Sequence, residues 1–146
     1  MNESVTIQFI PTQQLQEIIP FWQLLDNSLS DTILLERLEE MMAQGYKCVG
    51  IYDRDKLIGV SGIWILVKYY IGKHLELDNV IILPEYQNRG LGNQLYAWIL
   101  AYAKSIKSNG IELNCYVNNH AAQRFWINQG LDIAGYHFQK KLYEKN

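Results

Sequence analysis

The sequence predicts a mixed α/β domain with one central sheet and helices packed against it. Short apolar or alternating stretches, separated by turn residues, indicate strands. Two segments with apolar residues three and four positions apart, residues 31–42 and 90–107, indicate amphipathic helices. The order β-α-α-β-β-β-α-β-α-β is typical of this class, and 146 residues is an ordinary domain length. We therefore expect residues 1–146 to form a single domain.

The chain begins with a strand and a short helix. Residues 5–9 alternate between apolar and polar, which predicts a half-buried strand. Thr12 is a candidate cap for a short helix that runs to Ile19, and Pro20 is expected to end or kink it.

A second helix and a hairpin come next. The helix begins at Ser30 or Asp31 and ends at Gly45, a residue type that often follows the last turn. Apolar runs at residues 46–52 and 57–66, joined by four charged residues, predict two antiparallel strands.

The second half of the chain alternates strands with helices. We expect a strand at residues 74–83, nearly all apolar in its second half, and residues 90–107 predict the clearest helix. A strand at residues 111–117, a helix at residues 119–129 and a final strand pair within residues 131–143 complete the prediction.

Composition excludes several classes of protein. The chain has 13 basic and 15 acidic residues, mixed along its length, which argues against a nucleic-acid partner. No apolar run approaches the ~18 residues of a membrane span, and the first residues lack the features of a signal peptide. Cys48 and Cys115 have no CxxC spacing. We expect a cytoplasmic protein without membrane partners, and a homodimer is compatible with the sequence.

The loop between the strand at residues 74–83 and the long helix carries the strongest functional signal. Its residues are Gln87, Asn88, Arg89, Gly90, Leu91, Gly92 and Asn93. The two glycines leave room for an anion to approach the backbone, and a helix N-terminus favours negative charge. A plain strand-to-helix turn is the alternative. The P-loop and the dinucleotide fingerprint both fail on spacing, so a different type of diphosphate site remains.

Two motifs together resemble a known family. Gln87–Gly92 is similar to the (Arg/Gln)-x-x-Gly-x-(Gly/Ala) loop of the GNAT N-acetyltransferases, and Pro84-Glu85-Tyr86 before it is typical of them. Downstream, the segment from Asn119 to Trp126, followed by Gly130-Leu131, resembles their second motif. The resemblance spans essentially the whole chain and is strongest over residues 74–131.

The resemblance implies acetyl-CoA as the acyl donor and a particular way of binding it. The fourth and fifth strands would be parallel and splayed to admit the pantetheine arm. Main-chain groups of Ile81, Ile82 and Leu83 would bond the arm, with the N–H of Ile82 polarising the acetyl carbonyl. The loop would hold the diphosphate. Asn119 would bond the arm and Phe125 would pack against it.

Transfer to an amine requires a base, because an alkyl ammonium has a pKa near ~10.4. Glu76 lies 11 residues before Gln87, where some family members carry a catalytic glutamate. Asp78 is the second candidate, on the same face of the strand. Either acts directly or through an ordered water. His74 is a third candidate, although a lone histidine at a strand start is usually a surface residue.

The chain departs from the family at Trp126, where many members have a tyrosine acid. Indole cannot act as an acid near neutral pH. Tyr116, expected on the fifth strand, and Tyr136 are candidate substitutes, and core packing is their alternative role. Cys115 as an acyl-carrying nucleophile is a remote alternative, because a buried strand cysteine is usually inert.

The function predicted from these residues is N-acetyl transfer to a primary amine of a small molecule or peptide, in a ternary complex. The alternatives are a non-catalytic acyl-CoA-binding module, favoured by Trp126, and a nucleotide-binding domain that uses the same loop. No metal is expected, because His120 and His137 have no carboxylate or cysteine at ligand spacing. Acidic residues in the first two helices favour a cationic acceptor, or else form a solvated helix face.

Overall fold

The computed structural model describes residues 4–143. They fall into two compact units, one ending at Glu112 and one beginning at Leu113. The regular elements, in chain order, are β1 (Val5–Phe9), a 3₁₀ segment (Thr12–Ile18), α1 (Ile19–Leu25), α2 (Asp31–Ala43), β2 (Lys47–Asp53), β3 (Lys56–Lys68), β4 (Gly72–Ile82), a 3₁₀ turn (Pro84–Tyr86), α3 (Leu91–Ser105), β5 (Gly110–Leu113) and α4 (His120–Asn128).

The five strands form one mixed sheet in the order β1-β2-β3-β4-β5. The first four pair antiparallel in chain order. β2–β3 and β3–β4 are hairpins, whereas α1 and α2 lie between β1 and β2. β5 is parallel to β4, as expected for two strands joined by the crossover helix α3. The predicted α/β class, with parallel fourth and fifth strands, is confirmed.

Helices cover both faces of the sheet. Cys48 and Val49 are consecutive in β2, so their side chains point to opposite faces. Cys48 belongs to a buried cluster with residues of α1 and α2, such as Trp22 and Leu34. On the other face, the partner of Val49 is Phe9, whose ring meets Trp98 and Tyr102 of α3 edge-on at 5.3 and 4.9 Å. Each face of the sheet therefore has its own helical layer.

The prediction for the first helix was wrong in detail. Residues 12–18 form a 3₁₀ segment capped at Pro11 without a side-chain bond, so Thr12 is not the cap. Pro20 does not end a helix but lies in the first turn of α1. Proline is tolerated there because its missing N–H would have no partner within the helix.

The prediction for the C-terminal strands was also wrong. The fifth strand ends at Leu113 instead of residue 117. The side-chain amide of Gln123 donates to the carbonyls of Tyr116 and Val117, so a side chain takes acceptors that a strand partner would use. Within residues 131–143 the structure contains no strand. A two-stranded hairpin is marginal by itself, and α4 is the only regular element that the structure describes beyond β5.

The remaining predicted elements are confirmed with small shifts at their ends. Ser30 caps α2 by accepting a hydrogen bond from the Ile33 N–H, and Gly45 follows the helix with a φ of 95°. Among the helices described in residues 4–143, none is both long and apolar enough to cross a membrane.

Candidate functional site

The loop from Gln87 to Asn93 leads directly into α3. Gly90 caps the helix with φ 77° and no side-chain bond, and Asn88 also has a positive φ of 63°. A Cβ added at Gly90 would meet nothing within 4 Å, so the space beside this turn is open. The first N–H groups of any α-helix have no carbonyl partner within the helix. Here they lie in a 15-residue helix whose dipole favours an anion at this end.

Tyr86 anchors the start of this loop to the β2–β3 hairpin. Its hydroxyl donates to Asp53 Oδ2 at 3.0 Å. Two cations lie over the Tyr86 ring, the Arg89 guanidinium 5.1 Å and the Lys56 ammonium 5.4 Å from its centroid. The Arg89 charge therefore lies at the start of the loop, where positive charge favours an anion, whereas the Lys56 ammonium also lies 3.9 Å from Glu85 Oε1.

The backbone at the end of β4 alternates in direction. The Leu83 N–H donates to the Ile58 carbonyl at 2.9 Å, so Leu83 faces β3. Ile82 pairs with Gly59 in the next position, and in an antiparallel ladder its N–H and C=O therefore point away from β3. In agreement, the Ile82 carbonyl accepts a hydrogen bond from Gln87 Nε2 at 2.9 Å. Of the three residues predicted to bond the pantetheine arm, Ile82 is the one whose N–H points to the β5 side.

β5 accompanies only the first part of β4. The Asn109 N–H, just before β5, donates to the Lys73 carbonyl at 2.7 Å, and β5 then runs for four residues. The end of β4, including Ile82, therefore lies beyond the end of β5. That edge is where the family resemblance places the pantetheine arm, a role which stays a prediction.

A β-bulge interrupts β4 between Asp78 and Ile81. Between the pairs Val60–Ile81 and Gly62–Asp78, β4 has two residues where β3 has one, and Asn79 has a φ of 50°. The extra residue places Asp78 and Ile81 on the same face, although they are three positions apart. The polar row formed by His74, Glu76 and Asp78, which alternate along β4, therefore lies on the same face as Ile81. α1 and α2 cover this face.

The two candidate bases have different surroundings on that face. Asp78 accepts a hydrogen bond from the indole of Trp64 at 3.4 Å, and Trp64 stacks at a tilt against Tyr46, 5.2 Å away. Glu76 is half-buried and lies directly opposite Trp64. Its carboxylate comes within 4.8 Å of ligand atoms of His74 and Glu112.

Burial excludes two nearby groups as acids or bases near neutral pH. Burial raises the pKa of the Cys48 thiol to about 12. It also raises the pKa of Tyr46, with a smaller contribution from the charge of Asp78. Both groups therefore stay protonated at neutral pH and act as packing residues.

His74 is not a surface residue, as the sequence suggested, but is completely buried. Its Nε2 lies 3.2 Å from Glu112 Oε1, and the hydroxyl of Tyr70 donates to both oxygens of Glu112 at 2.8 and 2.7 Å. The expectation of no metal rested on His120 and His137 and overlooked the approach of His74 to Glu112. Glu112 lies 38 residues from His74 in the sequence, so no local pattern links the two. The spacing of His74 and Glu76 on one strand predicts only that these two side chains share a face.

The second unit contains the other predicted site residues. The Asn119 side chain caps α4 by accepting from the Ala122 N–H at 3.1 Å, and Phe125 packs edge-on against Trp126 at 4.9 Å. Tyr116 does not lie on the fifth strand, as predicted, because β5 ends before it. For the same reason Cys115 is not a buried strand residue; it is half-buried in the segment before α4.

Comparison with known proteins agrees with this geometry. The profile of the acetyltransferase (GNAT) family matches residues 13–131. A Bacillus subtilis protein with the provisional name of ribosomal protein bS18-alanine N-acetyltransferase is 27% identical over 108 residues, which are 73% of this chain and 67% of that protein. Aminoalkylphosphonate N-acetyltransferase of Salmonella typhimurium is 27% identical over 67 residues, 46% of this chain and 44% of that one. A solved aminoglycoside acetyltransferase from an uncultured soil sample superimposes with a TM-score of 0.80 at 15% identity, covering 97% of this chain and 99% of that one.

The loop-to-helix turn at the end of a mixed sheet, together with these matches, defines an acyltransferase fold. The chain belongs to the acetyltransferase (GNAT) family, and it is an acetyltransferase. The family uses acetyl-CoA as the co-substrate.

The contact between Asp53 and Tyr86 predicts a pH-dependent contribution to stability. Hydrogen bonds from Ser4 and then Tyr86 hold the pKa of the Asp53 carboxyl below its ordinary value. A lowered folded pKa stabilises the protein above the unfolded pKa of about 3.9, and this contribution disappears as pH falls through the folded value. We therefore expect Asp53→Asn to lower the melting temperature at pH 7, by an amount that shrinks steadily below about pH 4.

Thermal unfolding by circular dichroism between pH 7 and pH 3 measures this difference. Asp55→Asn, at the neighbouring exposed acid of the same hairpin, is the matched control for removing one negative charge from the turn. If the melting temperature of Asp53→Asn equals that of wild type at pH 7, or if the difference at pH 7 is unchanged at pH 3, the role given to this carboxylate is contradicted.

Proposed function

We propose that this protein transfers an acetyl group from acetyl-CoA to a primary amine of a small molecule or peptide. The amine attacks directly while both substrates are bound. The observation that carries the proposal is the end of β4, where the Ile82 N–H points to the edge beyond β5 and the Gln87–Asn93 loop begins five residues later. An acyl donor with a diphosphate and an extended amide-containing arm fits these two features together.

The loop binds the diphosphate in this proposal. Asn88 and Gly90 have positive φ values, and left-handed residues of this kind occur in the backbone turns whose successive N–H groups bind anions. Leu91 and Gly92 add N–H groups of the first turn of α3, and Arg89 adds a positive charge. Each hydrogen bond from such a donor to a charged oxygen is stronger than one between neutral groups.

The Ile82 N–H stabilises the reaction at the acetyl carbonyl. When the amine adds to the carbonyl carbon, negative charge develops on the oxygen, and a fixed donor stabilises it without reorganisation. Gln87 contributes by holding the Ile82 peptide through its carbonyl, at 2.9 Å. Ile81 and Leu83, which pair with β3, fix the strand on either side. For Asn119 and Phe125, which belong to the second unit, the family resemblance implies a role in binding the pantetheine arm.

Glu76 is the general base that removes a proton from the ammonium. Asp78 ranks second because its carboxylate already accepts the indole hydrogen bond of Trp64, which favours a fixed orientation. His74 ranks below both because its ring is completely buried. A water bound between Glu76 and the amine serves equally well to carry the proton.

The leaving thiolate does not require a dedicated acid. A thiol pKa near ~8.5 makes the thiolate a tolerable leaving group, so Trp126 in the tyrosine position is compatible with turnover. Tyr116 is the candidate acid in its place. The amine acceptor is supported by the names of the two relatives, which describe N-acetyl transfer to a protein alanine and to aminoalkylphosphonates.

The proposal extends to the setting of the reaction. The even mixture of 13 basic and 15 acidic residues argues against a nucleic-acid partner. The enzyme of this proposal is cytoplasmic and acts as one domain on soluble substrates, without a membrane partner. No metal takes part in the transfer step as proposed.

The first test is the affinity for CoA after Gly90→Asp. A carboxylate at this position would enter the open space beside the turn and repel the diphosphate, so we expect binding to weaken by more than about tenfold, or about 1.4 kcal/mol. Gly45→Asp is the matched control, because Gly45 also has a positive φ and nothing within 4 Å of an added Cβ. It carries the same backbone strain and charge away from the loop and should bind CoA like wild type. Equal affinities of the two variants in isothermal titration would refute the diphosphate site.

The second test is turnover, measured as thiol release from acetyl-CoA with a panel of amines, amino acids, polyamines and peptides. We expect release with at least one acceptor. Glu76→Gln should then lower kcat by about 10²–10⁴-fold with little change in KM, because the carboxylate acts on the proton and not on ground-state binding.

Asp78→Asn is the comparison for that variant and should retain more activity. Full rates in both variants would remove the two acids as bases. Tight CoA binding without release across the whole panel would instead support a non-catalytic acyl-CoA-binding module, the alternative that Trp126 favours.

A further inference from the structure

The geometry points to a binding site for a divalent transition-metal ion, Zn²⁺ above all, formed by His74, Glu76 and Glu112. One ligand atom from each residue lies within 4.8 Å of the other two. The residues come from two neighbouring strands, His74 and Glu76 from β4 and Glu112 from β5. An imidazole nitrogen with carboxylate oxygens is a donor set suited to zinc.

The imidazole of His74 is oriented as a metal ligand would be. Its Nδ1 lies 3.1 Å from the Gly72 carbonyl, and a carbonyl can only accept, so Nδ1 carries the proton. In the neutral ring Nε2 is then an unprotonated acceptor. A hydrogen bond from one ring nitrogen to a backbone carbonyl is the usual support for a histidine that ligates through the other.

Nε2 of His74 lacks a hydrogen-bond partner, although the ring is completely buried. It lies 3.2 Å from Glu112 Oε1, in ion-pair range but without hydrogen-bond alignment. Two acceptors this close repel unless a positive charge lies between or beside them. A metal ion can coordinate both atoms from a position off the line that joins them. A proton shared between the two atoms must lie close to that line.

The charge balance also favours a cation. Glu76 and Glu112 bring two carboxylates to within 4.8 Å of each other on a half-buried face. The nearby Lys73 does not neutralise them, because its ammonium donates to the Ile106 carbonyl at 2.7 Å. A divalent ion would balance the two negative charges with a neutral histidine.

The separations fit a metal ion with small side-chain adjustments. Zinc–ligand bonds of about 2.0–2.2 Å place two ligands of a tetrahedral site about 3.4 Å apart. The distance between His74 Nε2 and Glu112 Oε1, 3.2 Å, is close to that ligand–ligand separation. Tyr70 orients the Glu112 carboxylate by donating to both of its oxygens, as an outer-shell residue does. Three protein ligands leave one position open for water.

A bound ion would inhibit acetyl transfer, a consequence that rests on the proposed function of Glu76. Coordination occupies the lone pairs with which the carboxylate would accept the proton from the amine. Binding of the metal ion itself does not depend on that assignment.

Equilibrium dialysis of chelator-treated protein against Zn²⁺, with the metal quantified by mass spectrometry, tests the site. We expect one zinc per chain and a rise in melting temperature at saturating Zn²⁺. His74→Gln should weaken binding by at least about tenfold, the lower end of the loss seen even for outer-shell changes. The chain has three histidines, so the double variant His120→Gln/His137→Gln is the matched control and should bind like wild type.

Because His74 is buried, Glu112→Gln provides a second variant with a partly exposed side chain, and it too should lose the site. Absence of saturable binding, or binding that both variants leave unchanged, would overturn the proposal. Thiol release with and without Zn²⁺ separates the two assignments. Zinc binding without inhibition of thiol release would support the metal site and contradict the assignment of Glu76 as the base. Inhibition by zinc that His74→Gln relieves would support both the metal site and that assignment.

Discussion

The candidate site depends on the alternation of backbone hydrogen bonds at the end of β4. Because the Leu83 N–H bonds to the Ile58 carbonyl, the neighbouring Ile82 N–H must point to the opposite edge of the strand. β5 ends too early to accompany that edge, and the loop that starts beyond it turns into the N-terminus of α3. One hydrogen bond thus sets the direction of the donor proposed for the acetyl carbonyl, and the loop that follows is the site proposed for the diphosphate.

The bulge at Asn79 links this backbone site to the side chains around it. In a regular strand without the bulge, Asp78 and Ile81, which are three positions apart, would lie on opposite faces of β4. With it, the polar row of His74, Glu76 and Asp78 shares a face with the apolar cluster of α1 and α2. The same row supplies the proposed base and, with Glu112 of β5, the proposed metal ligands, so proton transfer and metal binding would compete for Glu76.

The sequence predicted the parts of the structure that depend on local signals. Ser30 and Gly45 bound α2 as expected, and the glycine-containing loop opens α3 at Gly90. Features that depend on distant residues were missed or misplaced. The burial of His74 and its approach to Glu112 arise from pairing between β4 and β5, which no local pattern reports. The early end of β5 reflects hydrogen bonds from Gln123, ten residues after the strand ends.

The most direct measurement of the central claim is amide hydrogen exchange at residues 81–83, followed by nuclear magnetic resonance with and without acetyl-CoA. The N–H groups of Ile81 and Leu83, which face β3, should be protected in both states. The Ile82 N–H should exchange faster than both in the free protein and slow by at least about tenfold when acetyl-CoA binds, since slowing of that size corresponds to about 1.4 kcal/mol. Equal protection of all three amides in the free protein, or an Ile82 N–H that saturating acetyl-CoA leaves unchanged, would contradict the account.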